Sequence, residues 1–331
     1  MLHLAIWTRP PVVQGFSLSD FWAWLRYGRA VDAAIDLRLV ESWSTIDAHQ
    51  KTLLSDEFGV GFSTFLFVER LGFQFYADTH FVVDVLAPGY FRLGRRKKVG
   101  PAKSPDYIAI DSSGQWHVLE CKGTQTSHSV LENAIAAGVA QKANISAVGG
   151  ITLTHSLVVG LFIPQSASRQ SAQLVVRDPA PSAPIAILAN VGPDEIRAAV
   201  VQIALAKHFA AMGLEEHARY FSTTPRGKLG KLGERDAGRV NEMQRGKGKG
   251  DIVFEVAAGN ARRFGRRSNK DYRRFRIVFP EALYRELQNA PDVDKFVSAL
   301  STRTLHVGWK TRKSAAGTAV VSPMGLTFLL T

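Results

Sequence analysis

Three side chains near the middle of the chain have the types and spacing that metal-assisted hydrolysis of a phosphodiester requires. Asp106 opens the apolar run Tyr107-Ile108-Ala109-Ile110, and Glu120-Cys121-Lys122 follows the run Trp116-His117-Val118-Leu119. Carboxylate oxygens suit a hard divalent cation, and an ammonium beside them can steady charge growing on an attacked phosphate. The two runs are joined by Asp111-Ser112-Ser113-Gly114 and read as an antiparallel hairpin. Pro105 suits the start of a strand, where no ladder hydrogen bond is yet required of it. Residues two apart on a strand share a face, so Glu120 and Lys122 project together. The start of the first strand lies beside the end of the second, which brings Asp106 to them. A lone acid-x-Lys at a strand end is also what a solvated ion pair of little energetic weight looks like. The hairpin and its flanking elements separate the two readings.

Those elements follow from pattern. Ser55-Asp56-Glu57 precedes an apolar segment, Phe58 to Leu71, that reads as a helix. Phe81 to Leu86 reads as a strand. After the hairpin, Ser129 to Ala147 carries Val130, Ala134, Ala137, Ala140 and Ala143 at helical spacing, and Leu157 to Ile163 reads as a buried strand ended by Pro164. With these elements in place, the chain resembles the PD-(D/E)xK nuclease superfamily, which has the restriction-endonuclease-like fold. The motif is Pro105-Asp106 and then Glu120-Cys121-Lys122, with Glu120 14 residues after Asp106. The likeness covers roughly residues 50 to 165, about a third of the chain.

The resemblance implies a core of helix, three strands, helix and strand, and it implies roles. Asp106 and Glu120 would bind Mg²⁺, which Mn²⁺ would replace, with the backbone carbonyl of Cys121 as a third ligand. Lys122 would orient or activate the water. Many members carry a further acid on the first core helix, and Glu57 fits that place, although Asp56 beside it could equally be a carboxylate at the helix N-terminus, where the dipole favours it. Gln141, 19 residues after Lys122, stands where RecB-type members carry a glutamine. Those members usually place an aromatic four residues further on, where this chain has Ile145, so Gln141 is either a site residue or a solvated helix residue. Asp111 is expected to start the turn. Asp84 either faces solvent at a sheet edge or joins the site. His117 and Cys121 face away from Glu120; His117 is read as structural or solvated, and Cys121 as packing.

The charge of the chain points to a polyanionic partner. The 331 residues carry a formal net charge of +12, and basic excess of this size attracts nucleic acid or an anionic surface. Between Arg219 and Arg276 stand 17 Lys and Arg against 6 acids. Arg226, Lys228 and Lys231, then Arg245, Lys247 and Lys249, alternate with glycine, which lets a backbone approach phosphates. Arg262, Arg263, Arg266 and Arg267, then Arg273 and Arg274, are interleaved with aromatics that can stack on bases. These twelve cations are expected to contact DNA, with RNA still open.

Organisation follows from composition. A Trp-rich helical extension is expected over residues 1–48, with a capped helix from Ser17 to Leu25. A nuclease-like domain would fill 49–213, including a strand at Ile185 to Leu188 and a helix from Asp194 to Met212. A basic α+β module would fill 214–331, with strands at Asp251 to Val256, Arg276 to Val278, Leu305 to Trp309 and Leu326 to Leu330 and a helix near Pro280 to Leu287. The fold class is therefore α/β: a restriction-endonuclease-like mixed-sheet core flanked by helices, with the helical extension and the basic module appended. The chain has one cysteine, which excludes an intramolecular disulfide and a cysteine-based zinc site. With no secretory signal pattern and no apolar run approaching about 18 residues, no membrane partner and a cytoplasmic location are expected. The function expected is a Mg²⁺-dependent DNA endonuclease, in restriction, anti-phage defence or mobile-element processing, the family's usual settings. The alternative is a catalytically silent nuclease-fold protein that binds DNA or serves assembly. A homodimer or a partner protein would supply a second cut.

Overall fold

The computed structural model describes residues 2–7, 30–32, 37–86, 91–93, 104–142, 145–147, 153–178, 193–232, 238, 240, 251–257, 274–315 and 317–330. The chain is mixed α/β, with two five-stranded sheets and several helices. In order come helix α1 (Leu2–Trp7), the short strands β1 (Val31–Asp32) and β2 (Arg38–Leu39), helix α2 (Ala48–Leu71) and strand β3 (Phe73–Asp78). Strands β4 (Phe91–Leu93), β5 (Tyr107–Asp111) and β6 (Trp116–Thr124) precede helix α3 (His128–Lys142). Strands β7 (Ile145–Ala147), β8 (Leu153–Phe162) and β9 (Gln173–Arg177) lead to helices α4 (Pro193–Ala211) and α5 (Glu215–Thr223). The second sheet follows: β10 (Asp251–Ala257), β11 (Arg274–Pro280), helices α6 (Glu281–Asn289) and α7 (Val293–Thr304), then β12 (Lys310–Ser314), β13 (Gly317–Val321) and β14 (Thr327–Leu330).

The first sheet runs β3-β5-β6-β8-β9. All its neighbours are antiparallel except β6 and β8, which are parallel and joined through α3. A parallel pair needs such a crossover, and α3 covers both of its strands. Helix α2 covers β6 and β8 as well. The second sheet runs β10-β11-β14-β13-β12, antiparallel throughout. Helix α4 touches both sheets. It lies on β3, while His208 packs on Phe328 of β14 and Phe209 stacks on Phe279 of β11. Trp7 and Trp43 are buried with it in one apolar cluster, so both tryptophans are core.

Several boundaries differ from the pattern reading. Helix α2 starts at Ala48, ten residues before the expected Phe58, because the Asp47 side chain caps it by accepting from the His49 amide. Gly72, in the left-handed region at φ 67°, stops it. The first strand of the sheet is therefore Phe73–Asp78, and Phe81–Leu86 is a π-helical turn instead of a strand. A six-residue apolar run does not distinguish the two by periodicity; here the run packs on α4 and α5. Helix α3 ends at Lys142, short of Ala147, because Ile145–Ala147 pairs with Phe91–Leu93. Leu305 to Trp309 is a connection in which His306 has φ 66°, and the strand begins at Lys310. Helix α7, capped by Asp292 on the Lys295 amide, had not been expected. The hairpin, β8, α4, β10, β11, α6 and β14 lie close to where the pattern put them. The expected Ser17–Leu25 helix and Ile185–Leu188 strand lie outside the described residues. No described helix is long and apolar enough to cross a membrane.

Candidate active site

The β5–β6 register pairs Tyr107 with Leu119, so the residue before one and the residue after the other meet at the sheet end. Each carboxylate is held by the other strand's backbone. Asp106 Oδ2 accepts from the Cys121 amide at 2.7 Å, and Glu120 Oε2 accepts from the Asp106 amide at 3.2 Å. Glu120 Oε1 takes the Lys122 ammonium. Glu120 is completely buried, while the Lys122 side chain is 25% exposed. Two helices press on this strand end. A Cβ at Gly59 of α2 would lie 2.7 Å from the Lys122 carbonyl oxygen, so only glycine allows that approach. A Cβ at Gly138 of α3 would lie 3.1 Å from Glu120 Cγ and 3.4 Å from Lys122 Cε. The pair is thus packed from both faces of the sheet.

Burial sets the charges. It pushes the Glu120 carboxyl up to about 7, Asp106 adds to the rise, and Lys122 restrains it. Asp106 is also raised, chiefly by burial, against the Cys121 amide and Lys122, which favour its ionised form. Burial works against the Lys122 ammonium, but Glu120 and Asp106 outweigh it and raise its pKa. Burial raises both carboxyls and neighbouring acid charges add to each rise, with Lys122 as the cation that opposes it in both. No group of three His, Cys, Asp or Glu able to hold a metal occurs among the described residues. Two carboxylates suit Mg²⁺ nevertheless, since that ion keeps several waters and takes one or two carboxylates with substrate phosphates. The donor set fits.

The other expected residues divide. Glu57 is half-buried on α2, and Asp56 beside it acts on the centre through its charge. Burial raises Asp56 and Lys122 lowers it, and Asp56 in turn raises Asp106. Cys121 gives its amide to Asp106, and its thiol is buried and driven well above its ordinary pKa by that burial. Gln141 lies on α3 and Asp84 in the π-helical turn, with both side chains outside the described set. Asp111 starts the turn, accepting from the Ser113 and Gln115 amides at 2.8 Å. His117 is structural, stacked between Phe73 and His155 and bonded to Asp111 at 3.1 Å. Arg226 is not at a nucleic-acid surface. Its amide bonds to the Leu86 carbonyl and its guanidinium is buried against Asp294 at 2.7 Å and Ser298. Lys228 and Lys231 are exposed. Arg274 lies on β11 with its side chain undescribed, and Arg245, Lys247, Lys249, Arg262, Arg263, Arg266, Arg267 and Arg273 lie outside the described residues.

Pattern reading missed a second acid–lysine pair at this end of the sheet. Asp78, at the end of β3, meets Lys207 of α4 at 2.7 Å. The same ammonium donates to the Trp7 carbonyl at 3.0 Å and lies over the Tyr107 ring, and Tyr107 donates to that carbonyl too, at 2.6 Å. Asp78 also raises Asp106 through its charge. The available signal was Lys207 itself, a lone cation in the apolar stretch Ile203-Ala-Leu-Ala-Lys-His-Phe209. A helix buried on all sides keeps a lysine only with a partner. Comparison with family models, with curated proteins and with solved structures gives no match.

Proposed function

We propose that this chain is a Mg²⁺-dependent nuclease of restriction-endonuclease-like fold that hydrolyses phosphodiester bonds in DNA. The observation that carries the reading is the reciprocal clasp of Asp106 and Glu120, with the half-open Lys122 beside it. The order α2, β3, β5, β6, α3, β8, with β6 and β8 parallel, supports the fold assignment. Asp106 and Glu120 would hold the cation, and the Cys121 carbonyl stays a candidate third ligand. When bound, that ion polarises a phosphoryl oxygen and lowers the pKa of a coordinated water. Glu120 keeps Lys122 charged and fixed in position. Lys122 has one hydrogen-bond partner among the described residues, so it retains donors for an attacking water or a phosphate oxygen. Asp56 adds negative charge on the α2 side. Cutting in restriction, defence or mobile-element processing would need these groups alone at the centre, with a second copy or a partner for the other strand.

The test is cleavage of supercoiled plasmid and of single-stranded DNA with Mg²⁺, Mn²⁺ or EDTA, comparing wild type with Lys122→Ala and Asp106→Ala. Metal-dependent cutting that both substitutions abolish is expected. Absence of cutting by the wild type, with salt-sensitive DNA binding intact, would favour the silent assembly subunit.

A further inference from the structure

The basic excess of the sequence is concentrated between Arg219 and Arg276, yet a run of exposed cations also lies outside it. Strand β12 reads Lys310-Thr311-Arg312-Lys313-Ser314, and all five residues are exposed. Among the described residues it is the last strand of the second sheet, paired only with β13. Among the described residues Lys310, Arg312 and Lys313 make no ion pair. Other exposed cations of this region do: Arg285 meets Glu281, Lys295 meets Asp292 and Arg303 meets Glu286.

Register fixes which way these cations lie. Ile277, Phe279 and Phe328 are buried on the inner face, so alternation puts Arg276 and Leu329 on the outer one. Arg312 pairs with Ala319, Ala319 with Leu329 and Leu329 with Arg276. Arg312 and Arg276 therefore share one outer row, three strands apart, with Lys310 two residues from Arg312 on the same face. Lys313 points to the other face. The β12 edge itself thus presents cations on both sides and no acid, while the register puts the acid of that outer row, Glu255, beside Arg276 on the far strand β10. Such an edge matches a surface of regularly spaced phosphates. From Lys310 to Val321 there is no aromatic residue, whereas single-strand surfaces rely on aromatics for base stacking.

We infer that the β12 edge, through Lys310, Arg312 and Lys313, is a docking surface for the phosphate backbone of a DNA duplex. The inference rests on the DNA reading above but concerns binding, and EDTA separates it from cutting. The experiment measures fluorescence anisotropy of a labelled 30-bp duplex in EDTA over a range of salt. It compares wild type with Lys310→Glu/Arg312→Glu/Lys313→Glu, with the Gln triple at the same positions, and with Arg285→Glu/Lys295→Glu/Arg303→Glu as a net-charge control. Thermal melts establish that each variant is folded. The β12 Glu triple is expected to bind at least about tenfold more weakly, with the log-affinity against log-salt slope shallower by about 2–3, one unit for each phosphate that is no longer neutralised. The Gln triple should fall between, and the control should stay near wild type. Wild-type affinity and slope in the β12 variants would overturn the assignment, leaving those cations as protection of a sheet edge against strand pairing. Equal losses in the control would overturn it as well, because net charge alone would explain them. Plasmid cutting by a wild type that binds no duplex here would sink the surface and spare the nuclease reading; binding without cutting would do the reverse.

Discussion

Two acid–lysine pairs stand at the same end of the first sheet, and they differ in how far each lysine is committed. Lys207 is 1% exposed, ion-paired to Asp78, bonded to the Trp7 carbonyl and seated on the Tyr107 ring. Lys122 is 25% exposed and has Glu120 as its single hydrogen-bond partner among the described residues. The lysine is buried in the first pair and the acid in the second. Burial lowers the Lys207 pKa against the pull of Asp78, whereas Lys122 is raised by its carboxylate neighbours despite partial burial. A closed pair joins α4, β3 and α1 and leaves no donor over. An open pair keeps a charged donor facing solvent over a fixed carboxylate. Only the open one leaves a donor for a substrate, as the proposed function requires.

The largest expected effects separate the pairs by what they disturb. Lys207→Met removes one member of a buried pair and leaves Asp78 uncompensated, which should cost about 3–5 kcal/mol of stability. Denaturant melts would read it, and a loss below 1 kcal/mol would mean that the closed pair does not hold α4 to β3. Lys122→Ala should do the opposite. Its melting point should fall less, because Glu120, already raised to about 7, can take up a proton in place of the lost ammonium, while plasmid cutting falls by about 10²–10³, the usual cost of a lost electrostatic stabiliser. Equal behaviour of the two variants in both assays would break the distinction.

The acids sharpen it through pH. The Glu120 carboxyl titrates near 7 in the folded chain, against an ordinary value of 4.5. The folded state therefore holds that proton over the interval, and the stability it confers is present below 4.5 and lost as pH rises through 7. At pH 8 the ionised group costs on the order of 3 kcal/mol. Glu120→Gln keeps the shape without the charge, so at pH 8 in EDTA it should melt above wild type and lose the downward slope between pH 5 and 7. Mg²⁺ or Mn²⁺ should raise the wild-type melting point at pH 8 and leave the variant unmoved. Asp78→Asn, by contrast, should melt lower at pH 8, since it strands a buried ammonium. A lower melting point for Glu120→Gln would show that pairing with Lys122 outweighs the burial of the carboxylate.

How much of this was legible follows from where the information resides. Asp106, Glu120 and Lys122 could be brought together from sequence because a hairpin with a short turn fixes its own register, and strand alternation does the rest. The clasp through the Cys121 and Asp106 amides needed only that register. Asp56 and Glu57 could not be told apart, because they are neighbours on a helix whose start lay ten residues earlier than the apolar run suggested. Phe81–Leu86 was misread since a short apolar run carries no period of its own. The Asp78–Lys207 pair joins residues 129 positions apart, and no local pattern links them. Charge density located open cations only in part: Lys228 and Lys231 of the basic stretch are exposed but Arg226 is buried on Asp294, while Lys310, Arg312 and Lys313, outside it, are exposed and make no ion pair among the described residues.

The smallest effect tests whether the open pair depends on the helix packed over it. Gly138 lies within α3, where alanine would normally add about 1 kcal/mol of helix stability. Here the new Cβ would meet Val158 Cγ1 at 2.8 Å, Glu120 Cγ at 3.1 Å and Lys122 Cε at 3.4 Å. Overpacking of this kind costs about 1–3 kcal/mol, so the helical gain offsets part of it and the net loss should stay under about 2 kcal/mol. The displaced atoms belong to Glu120 and Lys122, and a shift of a few tenths of an ångström there should reduce cutting about tenfold. Gly160→Ala on β8 is the matched control, because its Cβ would crowd the aliphatic ends of Leu131 and Ile135. It should destabilise by a similar amount with little loss of cutting per folded molecule. If both glycine variants lose activity only in proportion to stability, α3 supports the sheet without positioning Lys122. If Gly138→Ala alone loses more, the helix sets the position of the lysine, and the open pair is held open by its packing.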